Sequence, residues 1–89
     1  MRAFLTVIGK DRVGIIAAVC NHLAQKQVNV LDISQTILQG SFTMVMLVDA
    51  SACTADFDDL SRELSELGRD MELSIRIQRE EIFNAMHKI

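Results

Sequence analysis

The sequence contains no proline and only four glycines, so no segment has the composition of a flexible linker or a low-complexity region. Its 89 residues suit a single domain, and its hydrophobic fraction of 49% is that of a globular protein. Residues 1–8 carry one positive charge and a short apolar run, but no small-residue cleavage site follows them. The sequence therefore predicts one globular domain without a signal peptide or a membrane span, and a cytoplasmic location as the default.

Basic residues are also scarce. Nine Lys and Arg residues stand against twelve Asp and Glu residues, which gives a formal net charge of −3. Because the acids cluster between residues 56 and 72, no basic face is available to a phosphate backbone. We therefore expect neither nucleic acid nor a membrane as a direct partner.

The sequence offers few residues for metal binding or catalysis. Cys20 and Cys53 have no cysteine or histidine neighbour at a metal-ligand spacing, and we interpret them as free thiols in a reducing compartment, with Cys20 in the core. His22 and His87 show no pattern that pairs them with a nucleophile or a metal-binding set. The sequence thus predicts no metal, no cofactor and no enzymatic activity.

Hydrophobic periodicity gives the order of the first elements. Residues 2–8 alternate as a strand that is apolar on both faces, and residues 13–26 repeat apolar positions at steps of three and four, as in an amphipathic helix. Residues 28–38 and 42–48 are rich in apolar and β-branched side chains. With the glycine turn at residues 39–41 between them, they are predicted to form a β-hairpin.

A second helix follows the hairpin. Thr54 is predicted as its N-cap and Gly68 as its C-cap, and the acids at 58 and 59 lie in the first turn, where the helix dipole favours negative charge. Residues 73–78 then alternate as a strand with one apolar and one polar face. A short last helix is expected over residues 80–89, with acids at its start and His87 and Lys88 at its end.

The order β-α-β-β-α-β plus a C-terminal helix predicts an α+β fold, the ferredoxin-like sandwich. In this fold a four-stranded antiparallel sheet carries both main helices on one face. Right-handed crossovers place strands 1 and 3 in the centre. Because these two strands are apolar on both faces, the other face of the sheet exposes Phe4 or Leu5 and Met44 or Val45. The C-terminal helix or a second copy of the chain can cover that face, and we predict a homodimer or a higher homo-oligomer.

The segment Gly9-Lys10-Asp11-Arg12-Val13-Gly14 joins the first strand to the first helix. Glycine permits positive φ angles and close approach of a ligand, and Asp11 can accept hydrogen bonds from free amides at the helix start. This composition fits a recognition loop, although an ordinary strand-to-helix connection needs the same residue types.

This loop, followed by Leu23-Ala24 and by residues 29–33 at the observed spacings, resembles the ACT domain, a small regulatory module of amino-acid metabolism. The resemblance extends from about Phe4 to Ile77. Residues 32–40 and 42–44 are further similar to short stand-alone ACT proteins of unassigned function and, more distantly, to the ACT halves of the glycine-cleavage repressor group. The resemblance implies an ACT domain at residues 1–79, with residues 80–89 as a C-terminal helical extension of the same domain.

In ACT domains the first loop of one subunit and the start of strand 2 of a neighbour commonly form an amino-acid pocket. The resemblance implies that Asp11 or the Asn29 carbonyl accepts the ligand ammonium, while amides at the start of helix 1 donate to its carboxylate. Arg12 either adds a positive charge or lies as a solvated surface residue. The implied ligand-binding residues are Gly9, Lys10, Asp11, Arg12, Val13, Gly14, Ile15, Asn29 and Val30.

One position departs from the family pattern. Where the family often ends helix 1 with glycine, this chain has Gln27. A non-glycine residue at positive φ carries a strain cost, so either Gln27 accepts that strain or the turn into Asn29 follows another path.

The resemblance implies a non-catalytic regulatory module that binds a small ligand, an amino acid by expectation, and signals to a partner protein in trans. The alternative is a ligand-free adaptor that docks a partner on the exposed sheet face or the C-terminal helix. Loss of ligand binding in Asp11→Ala separates the first hypothesis from the second.

Overall fold

The computed structural model describes residues 1–86. The elements follow in the order β1 (Arg2–Lys10), α1 (Ile15–Gln25), β2 (Asn29–Leu38), β3 (Ser41–Asp49), α2 (Phe57–Asp70), β4 (Leu73–Arg79) and α3 (Glu80–Met86). The predicted β-α-β-β-α-β order with a C-terminal helix is therefore confirmed. The predicted end of the last helix at His87 and Lys88 lies outside the described residues.

The four strands form one antiparallel sheet in the order β2-β3-β1-β4, with β1 and β3 in the centre as predicted. Helices α1 and α2 cover one face, where alternate residues of the central strands are buried. Leu5 of β1 and Met46 of β3 are directly opposite each other, and both are fully buried. The core is completed by apolar residues of α1, α2 and β4: Ile15, Val19, Leu23, Leu60, Leu64, Leu73, Ile75 and Ile77.

The other side of the sheet, called here the open face, carries the remaining alternate residues. Phe4 and Val45 lie on it, whereas Leu5 and Met44 face the helices, which settles the alternatives left by the sequence. Helix α3 packs against β1 and β4 at one end of this face, where the Phe83 ring stacks on Phe4 with a centroid distance of 4.4 Å. The C-terminal helix thus supplies part of the predicted cover.

Both predicted caps of α2 were wrong. The N-cap is Asp56, and Thr54 instead donates its backbone N–H to the carbonyl of Lys26 at 3.1 Å, which ties the preceding loop to the end of α1. The helix continues past Gly68 to Asp70. Gly68 is buried inside the helix, where a Cβ atom would lie 2.7 Å from the Leu73 carbonyl oxygen. It therefore permits close packing of α2 on β4.

Gln27 adopts the left-handed conformation, with φ of 62°, and so takes the place of the family glycine without redirecting the turn. The N–H of Val28 donates to the Leu23 carbonyl at 2.9 Å, the six-residue bond of a Schellman motif. Strand β2 then begins directly at Asn29. The alternative path for this turn, left open by the sequence, does not occur.

We expect Gln27→Gly to stabilise the protein by about 0.5 to 1 kcal/mol, because glycine removes a left-handed strain of ~1 to 2 kcal/mol and adds a smaller cost in unfolded-chain entropy. Urea unfolding measures the change. The same substitution at Gln25, the last residue of α1, is the matched control; its backbone is right-handed, so glycine relieves no strain there and should destabilise by up to ~0.5 to 1 kcal/mol. Equal losses at both positions would contradict the assignment of strain to Gln27.

Candidate functional site

The loop between β1 and α1 is held in place at both ends. The N–H of Asp11 donates to the carbonyl of Gly40 at 2.8 Å, which fixes the loop against the β2–β3 turn. Gly14 has φ of 92° and is the N-cap of α1, so the helix begins at Ile15 rather than at Val13. The side chain of Val13 is 99% exposed. The loop therefore projects from a rigid attachment at the corner of the sheet.

A groove of about 260 Å³ lies between this loop, the start of α1 and the end of β2. Asp11 and Arg12 lie at its charged end, and the free N–H groups of the first turn of α1 adjoin it. Apolar side chains form most of the rest. The groove is lined by Asp11, Arg12, Gly14, Ile15, Ile16, Ala17, Gln35, Ile37 and Phe42. A charged end beside an apolar wall suits a small zwitterion with an apolar side chain.

A second cleft of about 240 Å³ lies on the other side of the loop, lined by Lys10, Asp11, Arg12, Met71 and Glu72. Here Arg12 donates from Nη1 to the carbonyl of Met71 at 3.2 Å, in an exposed position. Arg12 thus has a structural partner, and it adjoins both clefts. This contact favours the interpretation of Arg12 as a surface residue that bridges the loop to the end of α2.

The structure does not bring the two halves of the predicted site together within one chain. Asn29 is opposite Asp49, at the end of the sheet where Arg2 lies, whereas the loop adjoins the opposite end, where Lys10 is opposite Ser41. The nine residue steps of β2 separate these ends by about 30 Å. Asn29 is exposed and Val30 is half-buried.

Sequence reasoning missed the groove wall formed by Ile16, Gln35 and Ile37. Ile16 lies within the amphipathic helix predicted for residues 13–26, yet it is 37% exposed, and Ile37 is 51% exposed. The sequence signal was the β2 alternation Ile33, Gln35, Ile37, which marks one face of a strand. That pattern does not tell whether a helix covers the face, and α1 leaves it largely uncovered.

A cluster of titratable side chains lies away from the groove, between α1 and α2, and consists of His22, Lys26 and Glu63. The Glu63 carboxylate accepts from Lys26 Nζ at 3.2 Å and is 3.0 Å from His22 Nε2. The Lys26 hydrogen bond is the main cause that lowers the pKa of Glu63. His22, which shows no catalytic or metal-binding pattern in the sequence, is half-buried and joins the two helices through this contact.

This cluster predicts a pH dependence of stability. Because the folded pKa of Glu63 lies below its ordinary value of 4.5, the ion pair stabilises the fold above about pH 4.5 and is lost as the pH falls through the lower folded pKa. In urea titrations from pH 6 to pH 3, Glu63→Gln should lose less stability than the wild type. Glu66→Gln, an exposed acid of the same helix, is the matched control and should keep the wild-type slope. Parallel curves for Glu63→Gln and the wild type would refute this role.

Among residues 1–86, no helix has the length and apolarity needed to cross a membrane, and no group of histidine, cysteine and acidic residues has the arrangement of a metal site. The Cys20 and Cys53 thiols are free and half-buried, with Cys20 packed against the core.

The family model of the ACT domain matches residues 2–78. The chain belongs to the ACT domain family. A UPF0237 protein of Listeria monocytogenes serotype 4b is 57% identical over 89 residues, covering 100% of both chains. Among solved structures, an ACT domain protein from Streptococcus pneumoniae has a TM-score of 0.82 at 40% identity and covers 93% of each chain.

The more distant resemblance to the glycine-cleavage group is found in the fold. A putative glycine cleavage system transcriptional repressor matches with a TM-score of 0.74 at 23% identity, over 86% of this chain and 44% of that one. ACT domains are regulatory modules that commonly bind small ligands and oligomerise. The match therefore includes less than half of the repressor chain.

Proposed function

We propose that this ACT domain is a non-catalytic regulatory module that binds an amino acid at the interface of a homodimer and passes its liganded state to a partner protein in trans. The observation that carries the proposal is the separation of the motif residues. The loop and Asn29 lie at opposite ends of β2, and an antiparallel pairing of two β2 strands would unite them.

Strand β2 lies at an edge of the sheet and has the properties of a strand that pairs with a strand of a second copy. It is an edge strand of ten residues, and nearly all of its side chains are exposed. Leu31, Ile33 and Ile37 are 46%, 42% and 51% exposed, so an apolar edge faces solvent in the single chain. A long apolar edge is a ready template for another strand. Pairing two copies of β2 about its centre would place Asn29 of one copy beside Leu38 of the other, next to the loop.

The opposite edge of the sheet is less available. Helix α2 packs on β4 at Gly68, and Ser65 Oγ donates to the Ile75 carbonyl at 3.5 Å. Coverage by a helix is a common protection of an edge strand. This contrast between the edges supports β2 as the interface.

The groove chemistry fits an amino acid. Asp11, together with the side-chain carbonyl of Asn29 from the second copy, would accept from the ligand ammonium, and the first N–H groups of α1 would donate to the ligand carboxylate. Ile16 and Ile37 would contact an apolar side chain. Because ligand contacts come from both copies, binding would favour one arrangement of the dimer over another, as unequal affinity for two states requires.

A cytoplasmic location is part of this proposal, since two free thiols suit a reducing compartment.

The second candidate function, a ligand-free adaptor, is favoured by one observation. Helix α3 covers only one end of the open face and presents Ile82, which is 48% exposed. Removal of residues 80–89 would abolish partner binding by such an adaptor, whereas Asp11→Ala would not.

The test of the proposed function is a thermal-unfolding screen of the protein against the twenty amino acids at millimolar concentration. A ligand far above its dissociation constant raises the midpoint of a domain of this size by several degrees. We expect a selective rise that Asp11→Ala reduces by about half or more and that Asp58→Ala, an exposed acid of α2, preserves. A flat panel would overturn amino-acid sensing in favour of the adaptor.

A further inference from the structure

A cleft of about 350 Å³ lies where the second half of α2 meets β4, the strand at the other edge of the sheet from β2. Two of its residues, Leu73 and Ile75, are buried, so the groups that a ligand can reach are mainly two guanidinium groups and two hydroxyl groups. None of the described residues that line it is acidic, although the chain has more acids than bases. The lining residues are Ser65, Arg69, Leu73, Ser74, Ile75 and Arg76.

The first guanidinium group belongs to Arg69, which is exposed on α2. On the same helix, Arg62 forms an ion pair with Asp59, three residues before it, at 3.2 Å. Glu66 has the same spacing to Arg69, yet among residues 1–86 Arg69 forms no ion pair. The positive charge of Arg69 is therefore not neutralised by its own helix.

The second guanidinium group belongs to Arg76, which is exposed on β4. Its neighbours in the sheet are Thr6, directly opposite on β1, and Ser74 and Gln78, two residues away along β4. None of these side chains carries a negative charge, and Arg76 forms no ion pair within the described part of the chain. Two like charges thus line one cleft, and an anion bound between them would offset their repulsion.

We propose that this cleft binds a phosphate group, either of a small phosphorylated compound or of the free anion. A phosphate group carries up to two negative charges and has three strong acceptor oxygens, which guanidinium groups bind in a bidentate manner. Arg69, Arg76 and the Ser74 hydroxyl supply donors for these three oxygens. A carboxylate has one charge and two oxygens, so a single arginine satisfies it.

The cleft also limits the rest of the ligand. Its volume lies at the lower end of the range for ligand sites, and none of the described lining residues is an aromatic on which a nucleobase could stack. Ser65 Oγ donates to the Ile75 carbonyl at 3.5 Å, which covers an acceptor that would repel a phosphate oxygen. These features favour a compact phosphate compound over a nucleotide.

This site is separate from the groove of the proposed function. No residue lines both cavities, and the cleft lies on α2 and β4, whereas the groove is formed by the first loop, α1 and β2 with Phe42 of β3. The phosphate site therefore does not depend on whether the groove binds an amino acid.

The experiment is an NMR titration of the full chain, followed through its backbone amide signals at constant ionic strength. The probes are glycerol 3-phosphate, inorganic phosphate and acetate at about pH 8, where both phosphates are mainly dianions. We expect both phosphates to shift the amide signals of residues 69 and 73–76 until saturation, and acetate to bind about tenfold more weakly or less. Tighter binding of glycerol 3-phosphate assigns a phosphorylated compound as the ligand, whereas equal affinities assign the free anion.

Arg69→Gln and Arg76→Gln should each weaken phosphate binding about tenfold or more, because each removes a hydrogen bond between two charged groups. Arg62→Gln is the matched control. It removes the same charge from the same helix as Arg69→Gln but lies outside the cleft, and it should keep the wild-type affinity. The dispersion of the amide signals confirms that each variant is folded.

Three results would overturn the phosphate site: no saturable shift at β4, acetate bound as tightly as phosphate, or an equal loss of affinity in Arg62→Gln. Shifts confined to the first turn of α1 would also contradict it, because they would place the anion at that helix start. Asp11→Ala, which weakens amino-acid binding in the proposed function, should leave the phosphate affinity unchanged. The two sites therefore fail separately.

Discussion

Gly68→Ala is expected to lower the free energy of unfolding by about 2 to 3 kcal/mol, near the upper end for overpacking of a core. A Cβ atom at this position would lie 2.7 Å from the Leu73 carbonyl oxygen, 2.9 Å from Ile75 Cγ1 and 3.2 Å from the Ile75 nitrogen. Two of these atoms are backbone, and Leu73 and Ile75 are paired with Gly9 and Val7 of β1. Relief of the clash therefore requires α2 or β4 to move.

The sign of this effect distinguishes packing from helix propensity. Alanine is favoured over glycine by ~1 kcal/mol inside a helix, so propensity alone predicts stabilisation by Gly68→Ala. The measurement is urea unfolding, supported by a fall in the thermal midpoint of roughly 10 to 20 °C. Unchanged or increased stability would show that α2 moves away from β4 at little cost.

Gly14→Ala is the matched control, because a Cβ atom there would meet nothing within 4 Å. Its cost comes from the left-handed backbone, with φ of 92°, and should be about 1 to 2 kcal/mol. Asparagine tolerates this conformation better than alanine, so Gly14→Asn should recover part of the loss. Gly68→Asn should recover nothing, since its Cβ meets the same atoms.

These two glycines show which features of the fold could be predicted from the sequence. Local rules placed Gly14 in the segment that joins β1 to α1, because a turn into a helix has a signature within a few residues, although the predicted helix start at residue 13 was two residues too early. Gly68 was predicted as a helix C-cap, and that was wrong, because its role depends on the approach of β4, which no local pattern records. For the same reason Thr54 was mistaken for the N-cap that Asp56 provides.

The candidate site also has residues that the sequence predicted and residues that it missed. Residues 9–14 were predicted to bind a ligand from their composition, their position and the family resemblance, and the structure places residues 11, 12 and 14 on the groove. Gln35 and Ile37 were missed because their exposure depends on how far α1 extends over β2. The order of the strands could be predicted from their connectivity. Which strands the helices cover could be determined only from the packed structure.

A mixture of two variants that each bind weakly is expected to recover wild-type affinity at some of its sites. Every site in the proposed dimer takes Asp11 from one copy and Asn29 from the other. Asp11→Ala and Asn29→Ala should therefore each weaken both sites of their homodimers. The loss of a hydrogen bond to a charged group costs about 1.5 to 3 kcal/mol, so affinity should fall about ten- to a hundredfold in each variant.

A mixed dimer behaves differently because its two damaged positions fall on the same site. One site then combines both substitutions, and the other has an intact Asp11 and an intact Asn29. After equimolar mixing and subunit exchange about half of the dimers are mixed, so about one quarter of all sites should recover wild-type affinity. Calorimetric titration with the amino acid selected by the thermal screen measures this fraction directly.

Asp11→Ala mixed with Asp11→Asn is the matched control, in which no intact site can form. Recovery in the control, or none in the mixture of Asp11→Ala with Asn29→Ala, would be incompatible with a site shared between copies, because only sharing allows one chain to supply the residue that the other lacks.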